Sequence, residues 1–292
     1  MRAIAMAVVR AGQIRVICRR TAIAFKIRGM QKVFATIACS FALTGAGLAH
    51  AQSDFYRRVL PPTVAQGGTV GIALLAGRDY AGSDESRTRL LPGIEYQWSN
   101  GFFAGAMNGL GYNASTRPDR AYGLRVTADF GRKESRSPVL QGLGDIQARP
   151  TVGAFFNISP ARSIRLSSSF RYGSGNDRNG LVVDVGAGWG IPLGPQLFLG
   201  TSISSSWANA AYQQTYFGVD AAQASRSTLA GYTPGAGAKD IRASASLVYL
   251  LTKEWSLAGS VSYTELLGGA RVSPLVREKA STTGTLTLGY SF

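Results

Sequence analysis

The sequence predicts an all-β protein, an antiparallel transmembrane barrel of twelve strands preceded by a cleaved secretory leader. Three observations carry that prediction. Beyond residue 67, apolar residues alternate with small or polar ones almost to the end of the chain. The alternating segments run to about ten residues, the length of a tilted strand that crosses a bilayer, whereas strands of soluble sandwiches are nearer five or six. Aromatics gather at the segment ends (Tyr96, Trp98, Phe102, Phe103, Phe130, Phe156, Tyr172, Trp189, Trp207, Tyr249, Trp255, Tyr263, Tyr290, Phe292), as the two interfacial girdles of a membrane barrel require.

The leader comes first in the chain. Val33 to Leu48 is an apolar run, preceded by Arg19, Arg20, Lys26, Arg28 and Lys32 and followed by Ala49-His50-Ala51. A basic region, an apolar region and a small-x-small site together make a secretory signal, with cleavage between Ala51 and Gln52. The run is shorter than the roughly 20 residues that span a bilayer, which argues against a retained anchor. A start at Met30 would give a leader of ordinary length. The precursor has 31 Lys and Arg against 16 Asp and Glu, a net charge of +15. Residues 1–51 hold 8 of those basic residues and no acid, so the mature chain carries 23 against 16, or +7. Most of the basicity thus belongs to the leader, and a nucleic-acid partner loses its support. Cys18, Cys39 and His50 leave with it, and no other Cys or His exists. That excludes a Cys/His zinc site, a thiol nucleophile and a histidine relay in the mature protein. No cofactor is implied.

After a short lead-in at 52–66 with Pro61-Pro62, the barrel is expected over 67–292. The first strand falls at about Thr69–Ala76. In 122–130, Tyr122, Leu124, Val126 and Phe130 oppose Arg125, Thr127 and Asp129. In 163–172, Ile164, Leu166, Phe170 and Tyr172 oppose Arg165, Ser167, Ser169 and Arg171. Segments 181–191 and 197–207 follow the same rule, the first with Asp184, Gly186, Gly188 and Gly190 on its polar face. In 241–251 and 255–264 apolar residues again alternate with Arg242, Ser244, Ser246 and then with Ser256, Ser260, Ser262. The last strand sets Leu286, Leu288, Tyr290 and Phe292 against Thr285, Thr287, Gly289 and Ser291. Successive strand side chains face opposite ways, so each segment has one greasy face. No helix is expected beyond a turn near Ala221–Ser225.

Connections alternate between tight (99–101, 159–162, 193–195, 252–254) and long (about 78–89, 132–145, 173–179, 208–237, 267–280). Short turns on one rim and long loops on the other are the pattern of such barrels. Simple segmentation gives eleven strands, an odd number that conflicts with both termini lying on one side. Dividing 102–120 into two short strands hinged at Asn108-Gly109 restores parity at twelve; ten is the alternative.

Thr215–Ser227, Tyr232 and Gly235–Asp240 resemble the signature of the MipA/OmpV family, a group of outer-membrane proteins. Tyr80–Ser83, Gly109–Asn113, Leu266–Gly268 and Ser273–Val276 are similar to other family blocks, in order, from about residue 70 to the end. The resemblance implies an outer-membrane barrel in a Gram-negative cell. For the family's namesake it implies a non-catalytic scaffold that joins a lytic transglycosylase to a penicillin-binding protein. Other members are linked to adhesion, osmotic response or solute passage, so a narrow channel or a surface adhesin stays open here.

Candidate functional residues follow from facing and loop length. Alternation points Glu95, Arg125, Asp129, Arg149, Arg165, Arg171, Asp184 and Arg242 into the lumen. They read either as Arg–carboxylate pairs bracing a narrow interior or as the lining of a weakly anion-preferring pore. The glycines of 186–190 read as lumen packing, since no helix follows them to hold a nucleotide. The 208–237 loop is long enough to be functional or self-packed. Tyr212, Tyr216, Phe217, Gln223 and Tyr232 belong either to a plug in the barrel mouth or to a partner surface. Arg87, Arg89, Arg132, Lys133, Arg136, Arg277 and Lys279 read as exposed loop residues, either plainly solvated or touching lipopolysaccharide phosphates. Leu286, Leu288, Tyr290 and Phe292 resemble the terminal signal read by the outer-membrane assembly machinery. Amino-terminal sequencing of protein purified from envelopes should begin at Gln52; a chain that still carries residues 1–29 sinks the leader assignment.

Overall fold

The computed structural model describes residues 66–292. The leader, its Ala51–Gln52 cleavage site and the lead-in up to residue 65 lie outside the described residues. Twelve strands are present: β1 Gly67–Arg78, β2 Ser86–Gln97, β3 Phe102–Gly105, β4 Gly109–Asn113, β5 Arg120–Asp129, β6 Arg149–Ala161, β7 Ile164–Ser174, β8 Gly180–Pro192, β9 Leu197–Ala208, β10 Gly237–Leu250, β11 Trp255–Leu266 and β12 Ala280–Ser291. Each pairs antiparallel with its sequence neighbours, and β12 returns to β1 to close the barrel. The closing seam runs from Thr69 opposite Ser291 to Ala76 opposite Gly284.

Alternation fixes which face is which. On β5, Leu124 is 69% exposed and the adjacent Arg125 only 3%. The same switch recurs around the barrel, leaving Val70, Ile72, Leu166, Val185, Leu247 and Leu286 on a continuous apolar exterior. An apolar surface of that extent marks a protein whose solvent there is lipid. The inner face is small and polar: Ser167, Ser169, Ser202, Ser204, Ser206, Thr285 and Thr287 are buried, and Thr127 and Thr151 share a 2.8 Å hydrogen bond across β5–β6.

Parity is resolved where the sequence was ambiguous. β3 and β4 hold only four and five residues, and their turn is held by one carboxylate. Glu95 accepts from the Met107 and Asn108 amides at 2.6 and 3.3 Å and from Asn108 Nδ2 at 2.8 Å. Gly109 completes the turn at φ +73°, where an added Cβ would lie 2.0 Å from the Val126 carbonyl oxygen; only glycine fits. The hairpin is so short that β2 pairs with β3 through Glu95, Tyr96 and Gln97 alone. Ile94 accepts from the Ala106 amide on that side. Pro92, two residues along, faces the same way, so its missing N–H leaves no ladder bond unmade.

Two expectations are corrected. Phe103 does not join an interfacial girdle; it is 5% exposed and packs inward with Ala121 and Phe155. The long loops also hold helices: α1 Ala210–Phe217, α2 Ala221–Arg226 and α3 Gly268–Arg271. Only α2 coincides with the expected turn. An eight-residue helix such as α1 is marginal by itself and carries little periodic signal, so its stability comes from tertiary contacts that one sequence does not display.

Leu286 lies midway along β12, opposite Leu74 and Gly259. Leu286→Arg should cost about 2–4 kcal/mol, the penalty for a charge near the middle of the apolar band, whereas Leu286→Phe should be silent. Heat-modifiable migration on gels reads the folded fraction; equal loss in both variants overturns the facing.

Candidate functional site

The end of the barrel opposite the termini is closed by its own loops. Loops 79–85, 130–148, 209–236 and 267–279 meet over the mouth and bury a core of their own. Tyr80, Leu140, Leu143, Val219, Leu229 and Leu275 form one cluster. Ile146, Val182, Tyr212, Tyr216, Phe217, Leu266 and Ala270 form a second, which reaches down onto the strands. Hydrogen bonds stitch one loop to the next. The Tyr80 hydroxyl donates to the Leu275 carbonyl at 3.0 Å, Ser273 to the Phe217 carbonyl at 2.6 Å, and Tyr232 to the Gly269 carbonyl at 2.9 Å. Burial pushes the Tyr80 phenol up to about 12, so it remains a donor at neutral pH.

The 209–236 loop supplies most of this cap. Asn209 caps α1 by accepting from the Tyr212 amide, and the same oxygen accepts from the Leu181 amide on β8, both at 2.9 Å. One side chain therefore starts the helix and ties it to the wall. Asp220 and Gln223 form a capping box at the start of α2. Gln223 Nε2 also reaches the Leu143 carbonyl of the neighbouring loop at 2.8 Å. Tyr212, Tyr216 and Phe217 are 4%, 2% and 2% exposed, so they offer no face to a partner while the cap is closed. Tyr212 and Tyr216 stack with ring centroids 4.5 Å apart.

Beneath the cap lies a layer of charges. Asp129 accepts from the Tyr216 hydroxyl at 2.6 Å and from the Gly131 and Gly175 amides at 3.1 and 3.3 Å. Arg171 pairs with Asp184 at 3.1 Å, and Ser206 donates to the other oxygen of Asp184 at 2.6 Å. Lys239 pairs with Asp240 at 2.5 Å and lies 5.9 Å from the Tyr212 ring centroid. Arg242 Nε donates to Thr264 at 3.0 Å. Tyr212, stacked on Tyr216 and facing Lys239, lies on this layer.

The remaining inward charges stand elsewhere. Glu95 holds the β3–β4 turn, Arg125 lies over the Phe155 ring at 5.5 Å, and Arg149 faces Asp129 across the β5–β6 register. Arg165 is half-buried opposite Gly188, toward the turn end. Sequence reasoning missed Lys239 and Asp240 because the β9–β10 register shifts between Ala238 and Asp240. Such a bulge turns two neighbours to one side. A lysine that strict alternation aims at lipid is the signal that would have found it.

Of the basic loop residues, Arg132 is corrected from exposed to buried at 4%. Arg87 and Arg89 lie on β2 and not in a loop, Arg89 drawn in and paired with Asp79 at 2.5 Å, and Arg136 is half-buried. Among the described residues no cluster of His, Cys, Asp and Glu is placed to hold a metal.

These features define a transmembrane β-barrel of the outer-membrane type with a loop-built cap over one mouth. The family model for the MltA-interacting protein MipA matches residues 70–292, and the chain belongs to that family. The MltA-interacting proteins of Escherichia coli (strain K12) and Shigella flexneri are each 25% identical to it over 256 residues, covering 85% of this chain and 94% of theirs. Among solved structures, the NanC porin is similar with a TM-score of 0.46 at 10% identity over 75% of this chain and 98% of its own. A KdgM porin gives 0.42 at 12% identity, over 76% and 99%.

Tyr216→Phe removes a hydrogen bond to a charged acceptor, a loss of about 1.5–3 kcal/mol. Hydrogen exchange should quicken across 209–236 while the barrel keeps its heat-modifiable band. Unchanged exchange in that loop would show that the Asp129 contact does not hold the cap down.

Proposed function

We propose that the protein is a non-catalytic, non-conducting scaffold of the outer membrane that serves the assembly of murein enzymes. The observation that carries this reading is the cap. Its buried aromatic core rests on a charge layer in which Asp129, Asp184 and Asp240 balance Arg171, Lys239 and Arg242. A mouth filled in this way leaves surfaces, rather than a passage, as what the barrel offers. The relatives' name supports a lytic transglycosylase as partner, and the family resemblance adds a penicillin-binding protein. Both act on the periplasmic side, where the rim of short turns at 98–101, 162–163, 193–196 and 251–254 would meet them. The outward apolar band would contact outer-membrane lipid, and the exposed Arg87, Lys133, Arg277 and Lys279 would lie among lipopolysaccharide headgroups. Leu286, Leu288, Tyr290 and Phe292 would be the strand read by the assembly machinery.

A narrow solute channel is the second reading, and the small Ser, Thr and Gly side chains of the inner wall favour it. The two are separable in planar bilayers. Wild-type protein should show no conductance steps, and deletion of 210–235 should produce them. Steps from the intact protein sink the non-conducting reading. Cross-linked envelopes should yield a lytic transglycosylase on pull-down; its absence, with the barrel recovered, counts against the scaffold.

A further inference from the structure

Arg132 is a charge without an acid. It follows β5 in the 130–148 loop, is 4% exposed, and belongs to the underside of the cap. Its Nη1 donates to the Tyr216 carbonyl at 2.9 Å, while its Nε has no hydrogen-bond partner. The groups that act on it electrostatically are Tyr216, Tyr80 and Tyr212, with no carboxylate among them. The acids of its own loop are engaged elsewhere. Glu134 accepts from the Gly142 and Gly144 amides at 2.6 and 3.0 Å, and Asp145 from Lys133 at 2.8 Å and the Glu134 amide at 2.8 Å.

A buried guanidinium lacking a counter-charge is among the most costly arrangements in a protein interior. Burial, partly offset by the neighbouring tyrosines, lowers this one to about 10, so it keeps its proton at pH 7. Two further polar groups in the same cap are left over. Gln213 is fully buried on α1, one turn before Tyr216 and Phe217, and neither its Nε2 nor its Oε1 has a partner. The Ser137 hydroxyl, 3% exposed, has none either. A water molecule can satisfy hydrogen-bonding groups, but it cannot neutralise the charge; an anion does both.

We propose that Arg132 anchors a buried anion site in the cap that takes a chloride- or phosphate-sized ion and thereby locks the loops closed. Gln213 and Ser137 are the other buried, unpartnered donors of the same cap. The site is independent of whether the barrel acts as a scaffold, since it concerns what holds the mouth shut. An ion that binds the closed cap and not the open one lowers the opening equilibrium by a factor of one plus the ratio of its concentration to its dissociation constant.

The test is hydrogen exchange across 130–148 and 209–236 in purified barrel, starting in sodium gluconate. Chloride or inorganic phosphate then replaces gluconate at constant ionic strength. Exchange should slow progressively with ion concentration, by about tenfold when the ion stands near ten times its dissociation constant. Arg132→Met should abolish the response, and Arg136→Gln, on the same loop, should keep it. A response to chloride alone identifies a halide-sized cavity and one to phosphate alone an oxyanion site; both support the proposal. Rates that do not depend on the anion show that water fills the space and overturn it, as does a response that survives in Arg132→Met. Should Arg132→Met fail to fold, bromide-soaked crystals of the wild type decide. An anomalous peak beside the guanidinium supports the site, and none overturns it.

Discussion

A bilayer offers the backbone no water, so a chain that crosses it as strands must pair its amides and carbonyls along a ladder that has no beginning and no end. The seam between β1 and β12 meets that demand, joining Thr69–Ala76 to Gly284–Ser291. Everything else about the barrel depends on that seam. Closure between the first and last strands with both termini at one end admits only an even strand number. The β3–β4 hairpin, with its glycine turn and its Glu95 clasp, makes the number even. Closure also fixes the facing of each side chain, because a one-residue slip would exchange the lipid and interior sets.

Once facing is fixed, the two ends of the barrel acquire different chemistry. At the turn end the interior holds apolar clusters, with Phe198, Val248, Leu250 and Ala258 on one side and Phe103, Ala121 and Phe155 on another. At the loop end it holds charge, and that charge is what the cap rests on. Asp129 is the hinge of the arrangement: a strand residue whose carboxylate receives a hydroxyl from α1 and amides from two loops. Tyrosine suits the junction, since its ring packs in the loop core while its hydroxyl reaches the layer below.

Much of this could be read from the chain alone, and what could not shares one cause. Alternation is local, so the inward positions of Arg125, Asp129 and Arg171 were visible from a few neighbours each. The bulge before Asp240 breaks alternation by one residue, and Lys239, which strict alternation would aim at lipid, is the one local mark of it. Arg132 looked like an ordinary solvated loop charge because its burial is made by Tyr80, Tyr212 and Tyr216, which come from two other loops. A helical turn was legible near Ala221–Ser225, where α2 lies. α1 was not, since its ends are held by β8 and by the far side of the mouth. Features set by contacts distant in sequence escape a reading that sees only neighbours.

The uneven ladder has a mechanical meaning. Most neighbouring strands share eight to twelve register positions, but β2–β3, β3–β4 and β4–β5 share only three, four and four. Cooperative opening begins where the fewest bonds must break together. The barrel is therefore a zipper with one loose stretch, from β2 to β5, and strain applied anywhere around its circumference will be felt first there, beside the hairpin that Glu95 clasps.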